Sequence, residues 1–303
     1  MKICSLLPSA TEILFALGLG DQVVGVTHEC TFPPEARRKP RVVHSVVEQD
    51  QLQSEEIDSM VLDHLRRKES LYRIDATLLN QLHPDLIVTQ ELCEVCAIDA
   101  SDVVKSLGAL SYRPRLLSLH PHTLAEALED ILVVGEATGR AQEAMRLVQR
   151  LKGRIERVGQ LVADAPRKPR VFCLEWLKPL MASGHWVPEM VELAGGIEVL
   201  GRRGEPSRYV SWDEVIAAQP EMILLMPCGF PIARTRQELS VVTSLPGWDD
   251  LPAVRQHRVW LVNGPAYYNC SGPRLVDGVE VFAALIHPDR WQDPRPIGAA
   301  EPL

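Results

Sequence analysis

Cys93-Glu94-Val95-Cys96 is the stretch of this chain whose residue types and spacing most directly suggest chemistry. Two thiols so placed suit three roles. As part of a zinc site they would need further N or S ligands, with His28, Cys30, His120 and His122 as the available recruits. As a redox pair they would exploit the lowered pKa of a cysteine at a helix start. A thiolate here could also touch a transition metal carried by a bound ligand, because soft sulfur and imidazole both suit such ions. The plain alternative is two small residues packed at a turn. Cys93 and Cys96 are therefore the metal candidates, and Cys93 is also a ligand-contact candidate. No nucleophile stands beside a base, no glycine loop is shaped for phosphate, and no paired-carboxylate signature occurs. The chain reads as a binder without a catalytic cofactor, and a Cys93-based thiol redox enzyme is the minor alternative.

Aromatic residues are unevenly spread. Twelve of the sixteen lie after residue 170, and Trp176, Trp186, Tyr267 and Tyr268 fall in segments predicted to be loops at strand ends. Phe32, ahead of Pro33-Pro34, is the matching loop aromatic in the N-terminal half. A flat macrocycle needs planar apolar partners and a few hydrogen-bonding groups. His28, Glu91, Glu175, His185 and Asn269 lie in the same predicted loops and complete the set of candidate contacts.

The elements that must position these loops alternate strand and helix. Strands are predicted at Lys2–Leu7, Val23–Val26, Asp85–Thr89 and Leu116–Leu119, then at Arg170–Leu174, Met222–Met226 and Arg258–Val262. Helices are predicted at Thr11–Leu17 behind a Ser9–Glu12 capping box, at Asp75–Leu82 and at Ala100–Leu107. Further helices follow at Pro188–Ala194, behind Ser211 and at Arg274–Ile286. Thr123–Ala163 has helical periodicity throughout, with Gly135 and Gly139 as weak points; unbroken, it would be roughly 60 Å long. On either side of it the same order recurs. A helix stops at glycines (Gly18 and Gly20; Gly195 and Gly196) and hands over to a short strand. Later, Pro84-Asp85 and Pro220-Glu221 each precede an apolar strand. The expected fold is α/β: two Rossmann-like lobes with parallel sheets, joined by a long backbone helix, with the ligand cleft between the lobes. The expected boundaries are 1–120 and 166–290 for the lobes, 121–165 for the helix and 291–303 for a loose tail.

Composition narrows the function classes. A net charge of −8 without long basic runs argues against a nucleic-acid partner. No apolar run is long enough to span a bilayer, so the chain is not expected to be membrane-inserted. Seven cysteines spread along the chain do not suit a disulfide framework. The opening MKICSLLPSATEILFALGLG is broken by Pro8, Ser9, Thr11 and Glu12 and does not read as a signal peptide, so the expected location is the cytoplasm.

The segment SLLPSATEILFALGLGDQVVGVTHECTFPPEA, with Pro84-Asp85-Leu86-Ile87, the long helix and Val191-Glu192-Leu193-Ala194-Gly195-Gly196, resembles the helical-backbone (class III, TroA-like) substrate-binding proteins of ABC importers, and among them the cobalamin binders. The resemblance spans roughly residues 1–290. It implies a non-enzymatic binder of cobalamin or another corrinoid, for uptake, salvage or intracellular carriage; haem, a siderophore or a metal ion is the alternative cargo. Phe32 matches an aromatic that touches the corrin, and Tyr267 matches a cleft tryptophan ahead of Pro273-Arg274. Glu175 and Trp176 fall where relatives place another cleft aromatic. Glu192 matches a glutamate that docks on the membrane subunits. The implied partners are those subunits or, given the expected location, a cytoplasmic corrinoid acceptor.

Overall fold

The computed structural model describes residues 1–47, 52–90, 108 and 111–303. It divides into two compact units. Unit 1 comprises Met1–Leu52, Glu56–Pro121 and Ala125–Gln149; unit 2 comprises Gln53–Glu55, His122–Leu124 and Arg150–Leu303.

Unit 1 is built on a six-stranded sheet of order β4-β3-β2-β1-β5-β6. Its strands are β1 (Ile3–Ser5), β2 (Val23–Thr27), β3 (Arg41–Ser45), β4 (Tyr72–Ile74), β5 (Leu86–Gln90) and β6 (Arg115–Leu119). All neighbours are parallel except β3 and β4. The central strands β1 and β5 are buried throughout, as parallel strands covered on both faces must be. Helix α1 (Pro8–Ala16) does not use the expected capping box. Its N-cap is Leu7, and Pro8 occupies the first turn, where a missing N–H costs nothing. Ser9 and Glu12 are consequently buried inside the helix. Helices α2 (Ser54–Arg67) and α3 (Ala76–Leu82) follow, the latter capped by Asp75, whose side chain accepts from Leu78 N at 2.9 Å. The helix expected at 100–107 lies outside the described residues.

The expected single rod over Thr123–Ala163 is two helices, α4 (Leu124–Ala137) and α5 (Ala141–Val162). Gly139 takes a left-handed φ of +71°, and Arg140 N closes back onto Gly135 O at 2.7 Å, which ends α4 in the manner of a glycine C-cap. Gly135 is also required where it stands, because a Cβ there would overlap the Cβ of Ala144. At 22 residues α5 is about 33 Å long.

Unit 2 has a sheet of order β10-β8-β7-β11-β12-β13, with β9 also paired to β7. The parallel core is β7 (Arg170–Trp176), β11 (Met222–Leu225) and β12 (Val259–Val262). On the free side of β7, β9 (Ile197–Glu198) runs parallel along its start and β8 (Met181–Ala182) antiparallel along its end. β10 (Arg208–Tyr209) pairs antiparallel with β8. The tail expected to be loose instead supplies β13 (Ala300–Pro302), antiparallel to β12, and Ala299 is fully buried. Helix α6 (Val187–Leu193) precedes β9, α7 (Trp212–Ala218) carries the expected Ser211–Glu214 capping box, and α8 (Leu275–Ile286) is buried almost along its whole length.

The recurrence read from sequence has an atomic basis. Helices α3 and α7 both end on a left-handed residue, His83 (φ +51°) and Gln219 (φ +43°). The acid after the following proline then accepts the backbone N–H that opens its unit's first strand. Asp85 Oδ2 takes Lys2 N at 2.7 Å, and Glu221 Oε2 takes Arg170 N at 3.0 Å. In return the side chains of Lys2 and Arg170 donate to the last-turn carbonyls of Leu82 and Ala218. Each loop thus ties a helix end, a central strand and the incoming strand together. Asp85→Ala and Glu221→Ala should each cost about 1 kcal/mol, read by urea denaturation, with faster amide exchange confined to Lys2 in one variant and Arg170 in the other.

Candidate functional site

Ligands of open α/β sheets bind beyond the carboxyl ends of the strands, so those loops are taken unit by unit. In unit 1, β2 runs out into Thr27-His28-Glu29-Cys30. Arg41 Nη1, from the neighbouring strand, donates to Thr27 O (2.6 Å) and Cys30 O (2.9 Å) and holds this turn. Thr11 Oγ1 lies 3.0 Å from Cys30 Sγ. Cys30 is fully buried, and burial pushes its thiol up to about 12, so it is a packing residue. His28 is half-buried, with Nδ1 3.3 Å from Val43 O. With Nδ1 donating to that carbonyl, Nε2 keeps its lone pair. Burial, with smaller contributions from His44 and Arg41, lowers the His28 pKa, so the ring is neutral near pH 7. Desolvation raises the neighbouring Glu29 carboxyl to about 7. Phe32, whose peptide bond to Pro33 is cis, is 40% exposed. Glu91, Cys93 and Cys96 lie outside the described residues.

Unit 2 sorts the expected contacts into two groups. Trp176, Trp186 and Tyr268 were expected as loop aromatics facing a ligand, and all three are buried in the unit's own interior. Trp176 donates Nε1 to Ser54 O at 3.2 Å and packs 5.1 Å from the Phe230 ring. Trp186 donates Nε1 to Tyr268 O at 2.7 Å. Tyr268 is 1% exposed, stacks on Phe282 at 4.4 Å and donates its hydroxyl to Gly278 O. Their polar atoms are engaged and their faces covered, so they support the loops instead of presenting to a ligand.

The other group is less deeply buried, and only Glu192 in it is exposed. Glu175 is half-buried at the end of β7, and its carbonyl accepts Cys228 N at 2.9 Å. Tyr267 is half-buried under the Arg274 guanidinium, 5.7 Å from the ring centroid. It stands on a single helical turn, Gly264–Tyr267, capped by Asn263, whose side chain accepts Ala266 N at 3.2 Å. Asn269 buries both atoms of its carboxamide without a hydrogen-bond partner, against Gly264, where a Cβ would overlap its Oδ1. His185 is half-buried in a left-handed conformation (φ +52°). Glu192 is exposed on α6.

Sequence reasoning passed over Arg41 and the half-buried thiols of Cys228 and Cys270. The available signal was Pro227-Cys228-Gly229, a turn directly behind the buried β11. Among the described residues no three His, Cys, Asp or Glu side chains gather to hold a metal ion.

Two parallel-stranded α/β units, each with aromatic and polar loops at its strand ends, form the architecture of a two-unit substrate-binding protein. The chain belongs to the periplasmic binding protein family, whose model matches residues 3–265. An uncharacterized ABC transporter substrate-binding lipoprotein, YvrC, of Bacillus subtilis is 26% identical over 297 residues, covering 96% of this chain and 82% of its own. The vitamin B12-binding protein of Vibrio cholerae is 24% identical over 287 residues, covering 92% of this chain and 86% of its own. A periplasmic haem-binding protein, RhuT, from Roseiflexus superposes with a TM-score of 0.68 at 24% identity, covering 96% and 99% of the two chains. The family is one of binding proteins, not enzymes. The expected cytoplasmic location is corrected by these matches, a lipoprotein and periplasmic proteins, which point outside the cytoplasm. Among the described residues no helix is long and apolar enough to cross a membrane.

Proposed function

We propose that this protein captures a corrinoid and delivers it to the membrane subunits of an ABC importer. The observation that carries the corrinoid is the similarity to vitamin B12-binding proteins along 92% of the chain. Phe32 supports it, as a large aromatic left 40% exposed in a loop stiffened by Pro33 and Pro34, which suits stacking on a flat macrocycle. His28 and Phe32 from unit 1, with Glu175, His185, Tyr267 and Asn269 from unit 2, are the contacts we assign. Glu192, exposed on α6, is assigned to docking on a cationic side chain of the membrane subunits. The second reading is haem, favoured by the fold of the Roseiflexus protein and by the neutral, lone-pair-bearing His28.

Titration with hydroxocobalamin and with haemin separates them. Retention of hydroxocobalamin through desalting is expected; retention of haemin alone would replace the first reading by the second. Phe32→Ala should weaken corrinoid binding by about 1–2 kcal/mol, roughly 5- to 30-fold, without lowering the thermal midpoint. An unchanged affinity would remove Phe32 from the contact surface.

A further inference from the structure

His185 is among the contacts assigned above, whereas its neighbour His122 is not. They meet within unit 2 with ring centroids 5.9 Å apart and planes tilted by 36°. They come from distant parts of the chain, and each is pinned by its neighbours. Two residues after His122, Leu124 N donates to Glu189 Oε2 at 3.0 Å, while Arg203 Nη2 holds the other oxygen at 2.7 Å. His185 is gripped through its backbone: its N–H donates to Glu205 O at 2.6 Å, and its carbonyl accepts Gly204 N at 2.9 Å. Gly184 makes this approach feasible, because a Cβ there would overlap Glu205 O and Ser207 N. A left-handed backbone at a non-glycine residue is disfavoured and persists where the surroundings over-determine it, often at functional positions.

The side chain carries a second anomaly. Nδ1 of His185 is buried and has no hydrogen-bond partner. Buried polar atoms are almost always paired, and one that is not calls for an ion or a water to pair with it. Two imidazoles sharing one ion, each nitrogen about 2.0–2.1 Å away, place their ring centroids roughly 4.5–6.4 Å apart, depending on the angle at the ion. The observed separation falls in that range.

We propose that His122 and His185 form a two-imidazole site for a borderline divalent transition-metal ion: zinc, nickel or copper. Among the described residues no third His, Cys, Asp or Glu completes a cluster. The ion therefore keeps open coordination positions, filled by water or by an incoming donor. The site shares His185 with the contacts assigned to the corrinoid, so it is tested with the metal alone, in the absence of corrinoid.

Tag-free protein, stripped with chelator, is titrated with zinc, nickel and copper(II) by calorimetry, and the copper form is examined by EPR for nitrogen hyperfine structure. One equivalent should bind with a Kd in the micromolar range or below, with two nitrogen donors. His185→Asn, which tolerates the left-handed backbone, should weaken binding at least 100-fold, and His122→Ala at least 10-fold; His64→Ala, on α2, should change nothing. Circular dichroism melts confirm that each variant folds. The same titration in Cys93→Ser/Cys96→Ser protein excludes the thiols as the source. Binding that survives His185→Asn, or that vanishes with the two cysteines, overturns the proposal, as does the absence of any binding below 100-fold excess metal.

Discussion

Tyr268→Ala is expected to destabilise unit 2 by about 3–5 kcal/mol, the range for removing a large buried aromatic from a packed interior. The ring lies nearly parallel to Phe282, with an interplanar angle of 12° and 4.4 Å between centroids. Its backbone carbonyl accepts the Trp186 indole N–H, and its hydroxyl donates to Gly278 O on α8. Gly278 brings that helix so close that a Cβ would stand 2.6 Å from Tyr267 O. The cavity left by alanine therefore opens where two loop aromatics are seated, and the surroundings have little freedom to collapse. Tyr268→Phe keeps the stack and should lose only about 1 kcal/mol, for the hydroxyl bond. Urea denaturation measures both. The protein that still folds as Tyr268→Ala should bind hydroxocobalamin as the parent does. A stable variant with abolished affinity would return Tyr268 to the ligand surface.

That prediction reverses what the sequence suggests for the same residue, and the reason is physical. Composition shows that aromatics gather in loops of the C-terminal half, but not which way a ring points. Tyr267 and Tyr268 are adjacent, and only the closeness of α8 at Gly278 turns one inward and leaves the other half-exposed under Arg274. Trp186 is decided in the same way, by a partner 82 residues away. Features that depend on a few consecutive residues were legible. Pro84-Asp85 and Pro220-Glu221 follow left-handed helix ends and bind back to their opening strands. Ser211 and Glu214 form the expected capping box. Very short strands were not legible, because two residues such as Met181–Ala182 carry no alternation to read. β13 ends on Pro302, tolerable only because the strand lies at the sheet edge, and its composition resembles a tail more than a strand. The break in the long helix was legible as a risk at Gly135 and Gly139. That it falls at 138–140 depends on the close approach of Ala144 to Gly135.

Asp130→Asn is expected to stabilise the protein, and to do so only above mildly acidic pH. Asp130 is buried in α4, and its Oδ2 has no hydrogen-bond partner. Burial is the main reason its carboxyl is raised from 3.8 to about 7, with the negative charges of Glu126 and Glu129 adding to it. The sign follows from proton linkage. The folded state holds this proton more tightly than the unfolded chain, so between about pH 4 and pH 7 folding takes up a proton and stability falls as pH rises. Below that window the group is neutral in both states and costs nothing; above it the full cost of a buried, unpaired carboxylate applies. A shift of about three pKa units corresponds to about 4 kcal/mol as an upper bound, and relaxation around the charge brings the expected effect nearer 2 kcal/mol. Asparagine matches the shape and cannot ionise. Urea denaturation should therefore show Asp130→Asn about 2 kcal/mol more stable than the parent at pH 8 and equal to it near pH 4. Part of the slope should persist in the variant, because burial likewise raises Glu198 to about 7. An advantage of the same size at both pH values would mean that packing, not charge, separates the two proteins. No advantage at pH 8 would mean that Asp130 finds a partner or water in solution.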